Sequence, residues 1–222
     1  MSTRKIAFIP GEYYHIYNRG NSKQKIFLSK KDYERFMALL YLANTNERFS
    51  FFDIQKSVGG IFLHKIENPL VSIGAYCLMP NHFHILITPL SEDGLSKFMQ
   101  KLSTAYSMYF NDTYKRSGGL FEGKFKSQHI STDRQLKYNF SYIHLNPVKL
   151  VDSKWKENGL KNLKGTLEYL KSYKYSSFLD YLQNNRKEKV ILKPGAFPKY
   201  FTSKLVFQKE IFEWLTYHED IS

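Results

Sequence analysis

Cysteine is almost missing from this sequence: Cys77 stands alone among 222 residues. One thiol cannot close an internal disulfide, which excludes a disulfide-stapled fold and fits a reducing compartment. Acidic side chains are also scarce, 20 against 33 Lys and Arg, so the formal charge is +13. Phosphate is the obvious counterion for such a field, although charge alone leaves nucleic acid, an anionic membrane surface and a merely soluble basic surface open. No apolar run is long enough to span a bilayer, and residues 1–10 lack the hydrophobic centre of a signal peptide. A cytoplasmic protein with no membrane partner is expected. Repeats and low-complexity segments are absent as well.

What is abundant is aromatic surface. Phe, Tyr and Trp make up 17% of the chain, and the 42% hydrophobic content is enough for an ordinary core. Most of these rings must build that core, while any left at the surface suit base stacking on single strands.

The stretch Met79-Pro-Asn-His-Phe-His-Ile-Leu-Ile87 carries the first sign of chemistry. Successive side chains of a strand point to opposite faces, so His82 and His84 project together while Phe83, Ile85 and Ile87 face a core. Two neutral imidazoles on one face can grip a divalent metal. A second constellation, over 136–147, puts Tyr142 and Asn146 four residues apart on one helix face, with Pro147 closing that helix at about Asn146. If the two surfaces meet, two nitrogen ligands and an amide oxygen stand beside a phenol. That is an arrangement for phosphoryl transfer, in which a metal polarises a phosphate and the tyrosine oxygen attacks phosphorus. Singly, each residue has a plainer account: Tyr142 is one of 17 tyrosines, and an amide beside a proline commonly closes a helix. His15, His64, His129 and His144 read as packing or surface histidines.

Alternation predicts strands over 13–18, 71–78, 82–88 and 121–130. Helical periodicity predicts helices over 30–44, from a cap at Ser91 through Tyr109, and from Thr132 or Asp133 to Asn146. Residues 49–66, with Gly59-Gly60, read as a hairpin or an inserted excursion. The expected class is α/β in the α+β sense: an antiparallel sheet covered by helices on one face. Residues 1–183 are taken as one domain. Residues 184–222 are taken as a polar linker and an accessory tail, helical over 204–217.

Five blocks follow one another in a telling order: Tyr13-Tyr-His-Ile-Tyr-Asn-Arg-Gly-Asn21, Tyr76-Cys-Leu-Met-Pro-Asn-His-Phe-His-Ile-Leu86, Gly119-Leu-Phe-Glu-Gly-Lys-Phe-Lys126, Tyr142-Ile-His-Leu-Asn-Pro-Val148 and Tyr173-Lys-Tyr-Ser-Ser-Phe178. Together they resemble the one-tyrosine transposases of the HUH superfamily, IS200-like enzymes, and among them the REP-associated tyrosine transposases. The resemblance implies a ferredoxin-like or palm-like HUH nuclease fold. It makes His82 and His84 paired metal ligands and Tyr142 the nucleophile. Asn146 falls where relatives place a third polar ligand, often a glutamine, and is one methylene shorter.

The implied reaction is cleavage of single-stranded DNA through a 5′-phosphotyrosine, leaving a free 3′-hydroxyl, followed by transfer to another 3′-hydroxyl. The covalent link conserves the bond energy, so no nucleotide cofactor is needed. The implied metal is Mg²⁺ or Mn²⁺, although imidazole suits Mn²⁺ or Zn²⁺ and Mg²⁺ prefers oxygen. The implied partner is single-stranded or hairpin DNA, bound by a monomer or by a homodimer that exchanges the tyrosine helix. Arg19, at the end of a strand before a glycine turn, and Lys124 and Lys126, flanking Phe125, are expected DNA contacts; each also reads as an ordinary solvated side chain. Two other readings remain open. One is a domesticated DNA-binding or hairpin-processing protein that no longer transposes; the other is a hydrolase using His82, His84 and a metal-bound water.

Overall fold

The computed structural model describes residues 7–57, 60–182, 185–199 and 203–216. Four antiparallel strands form one sheet in the order β2-β3-β1-β4: β1 is Tyr13–Arg19, β2 Val71–Met79, β3 His82–Pro89 and β4 Lys126–Ile130. The antiparallel sheet with packed helices is the expected class, but helices cover both faces. The reason lies in the inner strands. Every residue of β2 is buried, Val71-Ser-Ile-Gly-Ala-Tyr-Cys-Leu-Met79, and a strand buried on both sides needs a layer on each.

One layer is built by α1 (Lys30–Leu42) and, beyond the short α2 (Phe51–Lys56), by the long α3 (Gly94–Thr113). Phe36, Leu39 and Leu40 of α1 and Phe98, Leu102 and Tyr106 of α3 pack on Tyr14, Ile16, Tyr76, Leu78, Phe83, Ile85 and Ile87 of the sheet. The opposite layer centres on α4 (Asp133–Leu145), whose Leu136, Phe140 and Ile143 pack on Ala75, Cys77, Met79 and Leu86. A bulge in β2 between Ile73 and Ala75 keeps this partition consistent, because Ile73 and Tyr76 then face the same layer. Gly74 occupies the bulge, where a Cβ would lie 2.8 Å from the Phe197 ring.

Four small elements complete the second layer: α5 (Trp155–Asn158), α6 (Leu163–Ser172), α7 (Phe178–Tyr181) and α8 (Lys204–Thr216). Phe207, Ile211 and Leu215 of α8 are buried in the same core as Phe140. The tail is thus helical as expected and docks on the tyrosine helix; Tyr217 lies outside the described residues. Of the polar stretch that precedes it, Asn184 also lies outside them. Arg186 is tied down by Asp180, Glu188 and the Tyr76 hydroxyl, the last at 2.9 Å.

Three further expectations are corrected. Residues 121–125 are not continuous strand: Gly123 adopts left-handed backbone, Phe121 makes only an isolated bridge to Gly20, and β4 begins at Lys126. Residues 49–66 form no hairpin among the described residues; they hold α2 and a short 3-10 turn at Ile61–Leu63, and Gly59 lies outside the description. Helix α3 also starts later than a Ser91 cap would give, at Gly94, where a side chain would meet the Leu70 carbonyl oxygen at 2.4 Å.

A buried carboxylate fixes the first layer. Asp32 is fully buried and accepts hydrogen bonds from the backbone N–H groups of Leu28 (2.7 Å) and Ser29 (2.8 Å) and from the hydroxyls of Tyr109 (2.9 Å) and Tyr114 (2.8 Å). Removing an acceptor of this kind strands several donors at about 1–3 kcal/mol each, some of which water can recover. Asp32→Ala should therefore lower stability by about 3–5 kcal/mol in urea denaturation, far more than a solvent-facing Asp. A loss below about 1 kcal/mol would show that the carboxylate does not hold α1 to α3.

Candidate active site

The site is assembled by register. Residue pairing across β1 and β3 sets Tyr17 opposite His84 and Arg19 opposite His82, so the odd residues of β1 share a face with the two histidines. The turn that introduces β3 is held by backbone bonds from Gly20 N–H to Asn81 O (2.8 Å) and from Ile26 N–H to Pro80 O (2.9 Å). Gly20 is required there, since a Cβ would come 2.2 Å from the Gln24 carbonyl oxygen.

Above this face lies α4. Thr132 caps it by accepting a bond from Gln135 N–H at 3.2 Å, and Pro147 opens a short 3-10 turn at Asn146–Leu150. One side of α4 is locked by His144, whose Nδ1 meets the Phe140 carbonyl oxygen at 2.9 Å and whose Nε2 meets Ser177 Oγ at 2.8 Å. Burial pushes its pKa down to about 3, so the ring packs as a neutral group. The other side of α4 presents Tyr142, whose ring centroid is 5.5 Å from that of His84. The rings of His82 and His84 are 5.0 Å apart. Two imidazoles and the phenol thus meet within one chain, lining a cleft of about 320 Å³ with Arg19, Lys23 and Lys126 at its edge.

The ring nitrogens are oriented by outside partners. His82 Nδ1 lies 2.6 Å from Asn81 Oδ1, which accepts only from a protonated nitrogen and leaves Nε2 with its lone pair. His84 Nδ1 lies 2.8 Å from His15 Nε2, and His15 in turn is hydrogen-bonded to Gln128. Burial, followed by neighbouring positive charge, lowers the pKa of His82 to about 4 and that of His84 well below its ordinary value. Neutral imidazoles are the form that ligates metal.

Asn146 completes the donor set. Its Nδ2 donates to the Tyr142 carbonyl oxygen at 2.9 Å, while its Oδ1 is buried without a hydrogen-bond partner, and the amide sits against His82. A buried carbonyl oxygen with nothing to accept is costly unless a cation or donor joins it. Among the described residues no three His, Cys, Asp or Glu side chains converge on a metal position, so the available set is two imidazoles and one amide oxygen. That set fits a divalent ion with open coordination positions.

The chain also resembles known proteins. Residues 40–146 match the family model described as "Transposase IS200 like", a span that takes in the histidine pair, α4 and Asn146. Over that span the chain is similar to the IS200-like transposases. A Haemophilus influenzae protein named for the REP-associated tyrosine transposases is 27% identical over 114 residues, 47% of this chain and 57% of that protein's length. A solved structure of a REP-associated tyrosine transposase bound to a REP hairpin covers 89% of each chain with 14% identity and a TM-score of 0.49, a likeness too loose to carry weight. Among the described residues no helix is long and apolar enough to cross a membrane.

The three cations expected to contact DNA lie in different places. Lys126 borders the cleft. Arg19 borders it too but forms a two-pronged ion pair with Glu122, with Nη2 at 3.0 Å from Oε1. Lys124 precedes β4 and does not line the cleft. Lys149 and Lys156 went unnoticed in the sequence, although their ammonium groups lie 5.4 Å and 4.7 Å from the centre of the Tyr142 ring.

His15, expected to pack or face solvent, sits beside the histidine pair instead. It is buried, and its Nε2 lies 2.8 Å from His84 Nδ1; with His84 as the donor of that bond, His84 Nε2 is free for a ligand. Removing a partner of this kind typically costs a metal site about 10–100-fold in affinity. His15→Phe, which keeps a planar ring, is accordingly expected to weaken Mn²⁺ binding by that factor in calorimetric titration; unchanged affinity would reduce His15 to packing.

Proposed function

We propose that this chain nicks and rejoins DNA strands, acting on single-stranded or hairpin-bearing ends with a divalent metal and a covalent tyrosine intermediate. One observation carries the reading: Tyr142 faces His82 and His84 beside the orphaned Asn146 oxygen, on a single chain. His82 Nε2, His84 Nε2 and Asn146 Oδ1 would hold the ion. When bound, it supplies electrophilic polarisation of the scissile phosphate.

The chain's own residues do the rest. Tyr142 Oη attacks phosphorus, its bond to the 3′-oxygen breaks, and that oxygen takes up a proton to leave as a 3′-hydroxyl. The phenolic proton is released into the cleft. In the reverse sense, an incoming 3′-hydroxyl displaces the tyrosine and reseals the strand, with no external energy source. Lys149 and Lys156 set positive charge next to the reacting phosphate, and Lys126 and Lys23 extend it along the cleft. The net charge of +13 gives the long-range attraction for the strand.

The test is direct. The full chain is incubated with end-labelled single-stranded and hairpin oligonucleotides plus Mn²⁺ or Mg²⁺, and denaturing electrophoresis is used to look for a protein-linked 5′ fragment beside a free 3′-hydroxyl product. A complete lack of adduct over a randomised oligonucleotide pool would refute the proposal.

A further inference from the structure

The Tyr142 ring separates two hollows. One is the cleft with the histidines; on its far side lies a second cavity of about 290 Å³, walled by Tyr138, Tyr142, Trp155 and Trp214 with Lys149 and Lys156 at its edge. The aromatic walls are set at different angles. Tyr138 lies nearly parallel to Tyr142, with centroids 5.9 Å apart and planes 19° apart, and Trp214 meets Tyr138 edge-on at 5.4 Å. The Lys156 ammonium stands within 6 Å of the Tyr138, Tyr142 and Trp155 rings.

One detail points to a ligand. Trp155 is only 7% exposed, yet its indole N–H is buried with no acceptor. Buried indole donors ordinarily find a partner. The nearby Trp214 shows the contrast, since its N–H is used by Glu210 at 2.9 Å. A ligand for this cavity therefore has a flat face to stack, an edge acceptor for Trp155 and an anion for the two lysines. A nucleobase with its phosphate has all three, and the cavity is at the small end of the range for bound organic ligands, about 300–1,000 Å³, which suits one base and not several.

We infer that this cavity takes one unpaired base of the DNA strand, flanking the phosphate that Tyr142 attacks, with a base carbonyl or ring nitrogen on Trp155 Nε1–H. The inference rests on the nicking reading for the position of the phosphate, and the docked helix α8 becomes a wall of the binding site through Trp214.

The sequence supplies its own reporter. The chain has two tryptophans, and both line this cavity. Octathymidylate, octaadenylate and octacytidylate are titrated into the full chain in EDTA, with tryptophan emission followed alongside anisotropy of labelled oligomers. An abasic octamer of equal charge is run in parallel. The expected result is quenching by at least one base-bearing octamer and none by the abasic one, which still binds through its phosphates. Trp155→Phe should weaken base-bearing octamers about tenfold and leave the abasic octamer unchanged. Tyr138→Ala, at a ring 42% exposed and so harmless to folding, should do the same.

Equal quenching by abasic and base-bearing octamers, binding without any quenching, or no binding of any octamer overturns the inference. Because no metal or cleavage is involved, the two proposals fail separately. Adduct formation with base-independent emission removes the cavity's role alone. Base-dependent quenching without adduct removes the nicking reading alone.

Discussion

Replacing Tyr142 by Phe should abolish the covalent protein–DNA adduct and lower strand cleavage by at least about 10³-fold, while DNA binding changes little. The substitution removes one oxygen and keeps the ring, so the contacts with His84, Tyr138 and Lys156 remain in place. Loss of the attacking atom acts on the chemical step and not on binding, and losses of this order accompany removal of a nucleophile in covalent enzymes. The variant also decides between tyrosine chemistry and hydrolysis by a metal-bound water. In the second mechanism the phenol is a bystander and cleavage persists. Measured side by side by denaturing electrophoresis and anisotropy, persistent cleavage without adduct would end the phosphotyrosine reading.

The parts of this site that were legible in the sequence are those that depend on spacing within one element. His82 and His84 share a face because a strand alternates, and Tyr142 and Asn146 share one because a helix turns every few residues. That the two faces meet was suggested by motif resemblance, and the fold supplies the physical reason: Ala75, Cys77, Met79 and Leu86 form an apolar floor for Leu136, Phe140 and Ile143. What stayed hidden depends on pairing between distant segments. His15 reaches His84 only because β1 lies beside β3 in the observed register, and Tyr13-Tyr-His-Ile-Tyr gives no sign of its neighbour. Trp214 lies more than seventy residues beyond Tyr138, and the docking of Phe207 and Ile211 brings it to the tyrosine helix. The two-sided covering of the sheet does have a signal in the sequence: Val71-Ser-Ile-Gly-Ala-Tyr-Cys-Leu-Met79 is nearly continuous in small and apolar residues, the mark of a strand with no wet face.

Replacing His84 by Ala should have the larger effect of the two imidazole deletions. His84 is 7% exposed and sits between His15, His82, Tyr17 and Tyr142, whereas His82 is nearer the mouth of the site. Loss of a direct ligand should exceed the roughly 10–100-fold in affinity typical of an outer partner, so calorimetric titration with Mn²⁺ should show no measurable site. The metal-free protein should also lose about 1–3 kcal/mol in urea denaturation, since His15 Nε2 is left buried without its partner and a cavity opens between two strands. Asn146→Ala provides the graded comparison. It removes a buried oxygen that has no partner in the metal-free protein, so the stability loss should be smaller, while Mn²⁺ affinity still falls. If His84→Ala binds Mn²⁺ as the parent does, the imidazole pair is a packing feature of β3 and the electrophile for Tyr142 chemistry must come from Lys149 and Lys156.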